Sequence, residues 1–373
     1  MKFTIKKSDV INVLSNIQGL TGRKSGLAIT ENLLIKTEGQ NIHFIVTDLE
    51  TGFEGFYPSK IEKEGNLIIN ARKFYEIVRD FPDEEIKINE IENNWIEIGN
   101  NNVEYHIVGM NYDDFPEIPD IKEVDFFEIN SQDLKRMIEK TVIVTGSTDD
   151  KRAHIVGNYF DIINKEDINI VRMVSTDGSR LSKDECIFDK SIKIPSKTEF
   201  IIPKKGLIEV SKFLESEKKI KIGFKENHFI TKKENETIII RLLEGEFPQY
   251  IDIIKKGENN IPIKMEKQIF LMMLKRMSIL SSENYKGVIF NFSKEKLIIN
   301  STNPEIGESK EEMAIDFKGE PIEVAFNPKY FIEALNAIEE SKVVLNIINE
   351  EKPCLVEGEK DNRYLSAVMP MRI

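Results

Sequence analysis

Apolar and polar positions repeat over a long range in this chain. Three stretches share one layout: LIINARKFYEIVRDFPDEEIKI (67–88), FIIPKKGLIEVSKFLESEKKIKI (200–222) and EVAFNPKYFIEALNAIEESKVVLNI (323–347). Each reads as an apolar strand, a helix start marked by Asn or Pro, an amphipathic helix, an acidic turn and a second strand. Superposing them puts Arg72, Lys205 and Lys329 in one column and Glu76, Glu209 and Glu333 in another, at offsets of 133 and 124 residues. Self-similarity of this kind marks a repeated structural unit.

A second helix precedes each of these stretches. SDVINVLSNI (8–17), SQDLKRMIEKTVIV (131–144) and EKQIFLMMLKRMSIL (266–280) carry apolar residues at i, i+3, i+4 and i+7. Ser8 and Ser131 stand where N-caps are expected, since a hydroxyl there accepts from an orphan amide. Much of the remainder alternates, as in NIHFIVTD (41–48), NWIEIGN (94–100), ETIIIRLL (236–243) and EKLIIN (295–300), and reads as half-buried strands. The pattern predicts an α+β protein of three similar domains, each with two helices and antiparallel sheet. Polar, turn-rich joints at DIKEVD (120–125) and KKGENNIP (255–262) give boundaries of 1–122, 123–257 and 258–373.

Composition narrows the function. No run of about 18 apolar residues occurs, so no membrane span is expected, and MKFTIKKSDV lacks the apolar core of a secretory signal. The two cysteines, Cys186 and Cys354, are far apart, which argues for a reducing compartment and against a zinc site. The four histidines are scattered, without an HxxxH pair. Catalytic signatures are missing too. TGRKSG (21–26) has the composition of a phosphate loop without its spacing, and GxSxG, HExxH and GxGxxG are absent. In STDGSRLS (175–182), Ser179 lies near Asp177, but no nearby His offers a base, and Asp-Gly between strands is a turn signal. An enzyme is disfavoured.

The net charge is −12, which taken alone argues against a nucleic-acid partner. Its distribution changes that picture. Basic residues gather on the helices and their flanks, whereas acidic runs such as DFPDEE (80–85), NYDDFPE (111–117) and ESKEE (308–312) fall in turns. Such helices are either simply solvated or form a positive face that guides a duplex.

Five motifs in order resemble the bacterial DNA polymerase III beta subunit family, the sliding clamps: ARKFYEIVRDFP (71–82), VSTDGSRLS (174–182), LLEGEFPQY (242–250), NPKYFIEALNAI (327–338) and VMPMRI (368–373). The resemblance spans essentially the whole chain and agrees with the threefold repeat. It implies the DNA clamp fold, with two chains closing head to tail into a ring whose helices line the hole and whose sheets face outward. It implies a non-catalytic processivity factor of the cytoplasm, with no cofactor, metal or membrane association. The implied partners are encircled double-stranded DNA, a second copy of the chain, the replicative polymerase alpha subunit, the clamp loader and other proteins bearing a clamp-binding motif.

The resemblance also assigns residues. The candidates for facing phosphates are Arg23, Lys24, Arg72, Lys73, Lys151, Arg152, Lys204 and Lys205. A clamp that slides needs delocalised phosphate attraction without base readout. Tyr105, Ile107, Ile279 and Leu280 fall on the implied subunit interface. A peptide groove is implied at Ile155, Thr176, Gly178, Ser179, Arg180, Leu181, Pro248, Ile253, Asn327, Tyr330, Met369, Pro370, Met371 and Arg372. Methionine suits a site with many partners because its unbranched thioether repacks. Ser179 stands where many relatives carry His and Asp252 where some carry Arg, which puts partner preference in doubt.

Overall fold

Six helices of ten or more residues occur among the described residues: α1 (Lys7–Asn16), α2 (Ala71–Asp80), α3 (Ser131–Val142), α4 (Lys204–Phe213), α5 (Lys267–Met277) and α6 (Pro328–Ala337). The computed structural model describes residues 1–373 apart from 22–27, 117, 120–122, 147–151, 165–167, 189–198, 215–218, 258, 281–286 and 373. In the repeated helices α2, α4 and α6, the aligned Arg72, Lys205 and Lys329 are each the second helical residue. One face of each is apolar and buried, through Phe74, Ile77 and Val78 in α2, Leu207, Val210 and Phe213 in α4, and Phe331, Ala334 and Leu335 in α6.

The caps correct two expectations. Asn70 and Asn327 cap α2 and α6, accepting from the amides of Lys73 and Lys329 at 3.0 Å each. Ser131 does not cap its helix: Asn130 does, accepting from the amides of Gln132 at 2.9 Å and Asp133 at 3.2 Å. Ser8 is no cap either. α1 starts one residue earlier, at Lys7, and the amide of Ser8 donates to the Glu84 carboxylate at 2.9 Å. The partner that satisfies this helix start comes from a distant turn, so local sequence could not reveal it.

The chain divides into two compact units. The first comprises residues 1–135, 191–197 and 205–243 and holds two antiparallel sheets. One runs Lys60–Lys63, Lys2–Lys6, Glu85–Glu90, Trp95–Gly99, Glu104–Val108. The other has eight strands: Phe126–Asn130, Lys219–Lys225, His228–Lys233, Glu236–Arg241, Thr51–Pro58, Asn41–Thr47, Asn32–Glu38, Asn66–Asn70. Half its strands come from before residue 71 and half from after 125, and they join where Ile239 lies opposite Gly52.

The second unit comprises residues 136–190, 198–204 and 244–373 and repeats the scheme. Its eight-stranded sheet runs Glu199–Pro203, Gly157–Asn164, Asn169–Thr176, Arg180–Phe188, Leu365–Val368, Cys354–Gly358, Lys342–Ile347, Ile261–Glu266. Here the halves join where Leu181 lies opposite Ala367. A four-stranded sheet runs Gly307–Ala314, Lys296–Asn303, Val288–Phe292, Ile322–Phe326. The core beside it is aromatic. Phe290, Phe326 and Phe331 are fully buried, with ring centroids 5.1–5.4 Å apart. Burying each such side chain contributes about 1.5–3 kcal/mol of transfer free energy. No described helix is long and apolar enough to cross a membrane.

Candidate functional site

The strands Asn169–Thr176 and Arg180–Phe188 meet in a turn built by its own side chains. Asp177 Oδ1 accepts from the amides of Ser179 at 2.9 Å and Arg180 at 3.1 Å. Thr176 Oγ1 donates to the Arg180 carbonyl at 2.7 Å and accepts from the Gly178 amide at 3.1 Å. Gly178 has φ +89°, a left-handed conformation that glycine adopts without steric cost. The Asp177 carboxylate is thus used as a turn former and an ion-pair partner of Arg180, whose Nε is 2.9 Å from Oδ2.

Arg180 gathers the next layer. Its guanidinium lies 4.3 Å from the centroid of the Tyr330 ring and pairs with Glu333, one turn further along α6. Stacking on an aromatic face while donating to two carboxylates is within the reach of a planar guanidinium and not of an ammonium. Lys204 donates to the Thr145 carbonyl at 3.4 Å, and burial, with the Arg180 charge adding to it, lowers its pKa.

The 368–372 segment is fixed by its backbone. Val368 continues the ladder opposite Arg180, the Met369 amide donates to the Ser179 carbonyl at 3.0 Å, and the Met371 amide donates to the Ala325 carbonyl at 2.8 Å. Pro370 restricts φ between them. Yet both methionine side chains remain 38% exposed. An apolar side chain held open by an anchored backbone is available to a partner at little entropic cost.

The floor beneath is a cluster of Val174, Leu181, Tyr250, Leu355, Leu365 and Ala367, with Tyr159, Phe247, Ile253 and Ile254 packed on it. Tyr159 stacks on Phe247 at 4.8 Å. The Tyr250 hydroxyl lies 3.3 Å from an Arg172 nitrogen and 3.4 Å from Asp161, whose pKa burial raises against the lowering effect of Arg172. This arrangement positions the segment that carries Pro248, Ile253 and Asp252.

Of the sequence-predicted groove residues, Thr176, Gly178, Ser179, Arg180, Leu181, Ile253, Tyr330, Met369 and Met371 are linked by the contacts above. Pro248 and Arg372 are exposed and Pro370 is half-buried. Asn327 is buried and occupied as the α6 cap. Ile155 is buried, and its carbonyl accepts from the Gly146 amide at 2.8 Å. Asp252 is exposed, and its bond from Lys255 at 2.7 Å lowers its pKa. Sequence reasoning missed Glu333 as the partner of Arg180 and the Tyr250, Arg172 and Asp161 group. Glu333 could have been singled out, because it closes the column of Glu76 and Glu209.

Of the basic candidates, Arg23, Lys24 and Lys151 lie outside the described residues. Arg72 and Lys73 are exposed and share Glu76, at 3.2 and 2.8 Å. Lys205 pairs with Asp48, with Glu50 at 3.7 Å, and Arg152 is exposed. Phosphate contact by Arg72, Lys73 or Lys205 therefore competes with a carboxylate of the chain itself.

Tyr105 (39% exposed) and half-buried Ile107 lie on Glu104–Val108, the outermost strand of the five-stranded sheet. Ile279 is 74% exposed in the turn Ser278–Leu280, beside half-buried Leu280. On the exposed face of the five-stranded sheet, Glu97, Glu104 and His106 bring three potential ligand atoms within 4.8 Å. His106 and Glu104 are already partnered with each other at 3.0 Å, and the set carries no metal argument.

Comparison with known proteins gives a consistent result. Residues 1–119, 128–249 and 254–372 match the family descriptions of the DNA polymerase III beta subunit N-terminal, central and C-terminal domains respectively. A beta sliding clamp of Vibrio cholerae is 28% identical over 382 residues, covering 100% of both chains. The crystal structure of the DNA polymerase III subunit beta from Pseudomonas aeruginosa is similar with a TM-score of 0.92 at 26% identity, covering 100% of both chains. A sliding clamp of the same organism bound to griselimycin is similar with a TM-score of 0.90 at 26% identity, again over 100% of both chains.

Proposed function

The chain belongs to the DNA polymerase III beta subunit family, the beta sliding clamps, and from that premise we propose how its own residues serve a ring that tethers a polymerase to DNA. It is a processivity factor and not a catalytic subunit. The three domains, 1–122, 123–257 and 258–373, pair with those of a second copy, head to tail, in a ring around double-stranded DNA in the cytoplasm.

One observation carries the ring. The strands Glu104–Val108 and Gly307–Ala314 each end their sheets with an edge that no other strand among the described residues pairs with, and exposed apolar side chains accompany this, with Tyr105 on the first strand and Ile279 on the turn after α5. Open edges invite pairing with another chain, and a heterologous contact that closes into a ring covers both of these edges in every copy. The proposed seam joins Tyr105 and Ile107 of one copy to Ile279 and Leu280 of the next. The solution mass tests it: about twice the 43.1 kDa chain supports the ring, and a monomer at working concentration overturns it.

Partners dock in the groove formed by the Thr176–Leu181 turn, Ile253, Tyr330 and the two methionines. An apolar floor with a few fixed polar groups suits a short peptide. The occupants are clamp-binding motifs of the polymerase alpha subunit, the clamp loader and other replication and repair proteins. Arg72, Lys73, Arg152, Lys204 and Lys205, together with Arg23, Lys24 and Lys151, supply the phosphate attraction. Each such contact is screened and weak, which lets the ring slide.

A further inference from the structure

The turn at 47–51 repeats three of the hydrogen bonds that build the groove turn. The Leu49 amide donates to Thr47 Oγ1 at 3.0 Å, as the Gly178 amide donates to Thr176 Oγ1 at 3.1 Å. Glu50 and Thr51 donate to Asp48 Oδ1 at 3.1 and 2.7 Å, as Ser179 and Arg180 donate to Asp177 Oδ1 at 2.9 and 3.1 Å. Leu49 has φ +75° where Gly178 has +89°. Each turn receives a strand in the same register: the Arg241 amide donates to the Glu50 carbonyl at 2.8 Å, as that of Met369 does to Ser179 at 3.0 Å. Two sequence stretches also echo each other, FPEIPDI (115–121) and FPQYIDI (247–253). Phe115 and Ile118 pack on Leu34, Ile45 and Ile68, much as Phe247 and Ile253 pack on the groove floor.

The side chains differ at equivalent positions. Gly52 stands in the place of Leu181, Arg241 in that of Met369, and Glu50 in that of Ser179. A recess of about 200 Å³ is open between Glu50, Gly52, Ile118, Pro119, Ile239 and Arg241. A β-carbon on Gly52 would stand 3.4 Å from Ile118. Arg241 is exposed and makes no ion pair with another described residue, while Glu50 lies 3.7 Å from Lys205 Nζ. His228 sits across the ladder from Arg241. The recess therefore has an apolar base of Ile118, Pro119 and Ile239, and its wall carries Glu50, which leans toward Lys205, and Arg241, which has no ion-pair partner among the described residues.

We propose that this recess is a second peptide site with its own specificity, taking a short extended segment of a partner protein that carries an acidic residue beside an aliphatic one. The carboxylate meets Arg241, and the aliphatic side chain enters the recess beside Gly52, against Ile118 and Ile239. Charge-assisted pairing with a planar guanidinium supplies direction, and the apolar base supplies the burial. The inference rests on the groove reading, because the shared backbone is what points to a peptide as occupant.

The test uses the full chain with labelled isoleucine methyl groups and two probes, N-acetyl-Leu-Asp-Leu-amide and its Asn analogue. The acidic probe shifts the Ile118 and Ile239 methyls. The Asn analogue, and separately Arg241→Gln, weaken that binding about fivefold. Gly52→Leu, which restores the groove residue, removes it. Silent Ile118 and Ile239 methyls, or equal affinity for the Asp and Asn probes, overturn the proposal. The two readings fail separately. A clamp-binding peptide that leaves Ile253 unmoved sinks the groove, whereas an acidic probe that still moves Ile118 and Ile239 in an Arg241-dependent way sustains the recess.

Discussion

The backbone amide of Met369 donates to the carbonyl of Ser179 at 3.0 Å, joining two positions almost two hundred residues apart. This bond extends by one residue the ladder that sets Arg180 opposite Val368. It places a methionine side chain over a turn whose shape Asp177 and Thr176 already dictate. The exposure of Met369 and Met371 is therefore a property of an anchored backbone and not of a loose end.

Met369→Ala and Met371→Ala each weaken binding of a clamp-binding peptide about fivefold, since covering the exposed part of each methionine contributes roughly 1 kcal/mol. The double variant binds below detection, and the mass of the assembly stays unchanged. A fluorescence titration with unaltered affinity in both single variants contradicts the groove.

Asp184 has no exposed side-chain surface and is held by Arg136 at 2.7 Å. Burial raises its pKa, against the lowering effect of Arg136. Removing one partner of a buried pair strands the other's charge. Arg136→Met therefore lowers stability by about 3–5 kcal/mol, and adding Asp184→Asn recovers most of that loss. Urea unfolding of both variants checks this. A double variant as unstable as the single one shows that the loss lies in packing.

Asp361 is held down at about 2 by the bond and charge of Arg363, from which its side chain receives 2.8 and 2.7 Å contacts. A carboxyl depressed in the folded state adds stability above its unfolded value, near 3.9. That stability is lost as pH falls from there toward about 2. Asp361→Asn should therefore lower the urea midpoint at pH 5 to 7 and converge with the unaltered chain near pH 2. A difference that persists unchanged across that window contradicts the assignment.

The repeat was legible because helix physics is local. Arg72, Lys205 and Lys329 align since α2, α4 and α6 begin one residue before each, and Asn70 and Asn327 cap where an Asn ahead of an apolar helix is expected to. The turn at Asp177 and Gly178 was legible for the same reason. What escaped is contact across sequence: Glu84 closing the start of α1, Lys205 pairing with Asp48, Glu333 holding Arg180, and the joins of Gly52 to Ile239 and Leu181 to Ala367. Ion pairs and strand registers of that span depend on the folded sheet, and no local pattern encodes them. The motif residues of the groove were found through resemblance to a family; their chemistry became readable only with the distances.

Topology tests the central claim most directly. The chain, loaded by a clamp loader onto nicked circular DNA, is washed at high salt, and the circle is then cut once. The account predicts retention on the intact circle and release on linearisation, because the ring is held by enclosure and its phosphate contacts are weak. Retention on free-ended linear DNA under the same wash contradicts encirclement.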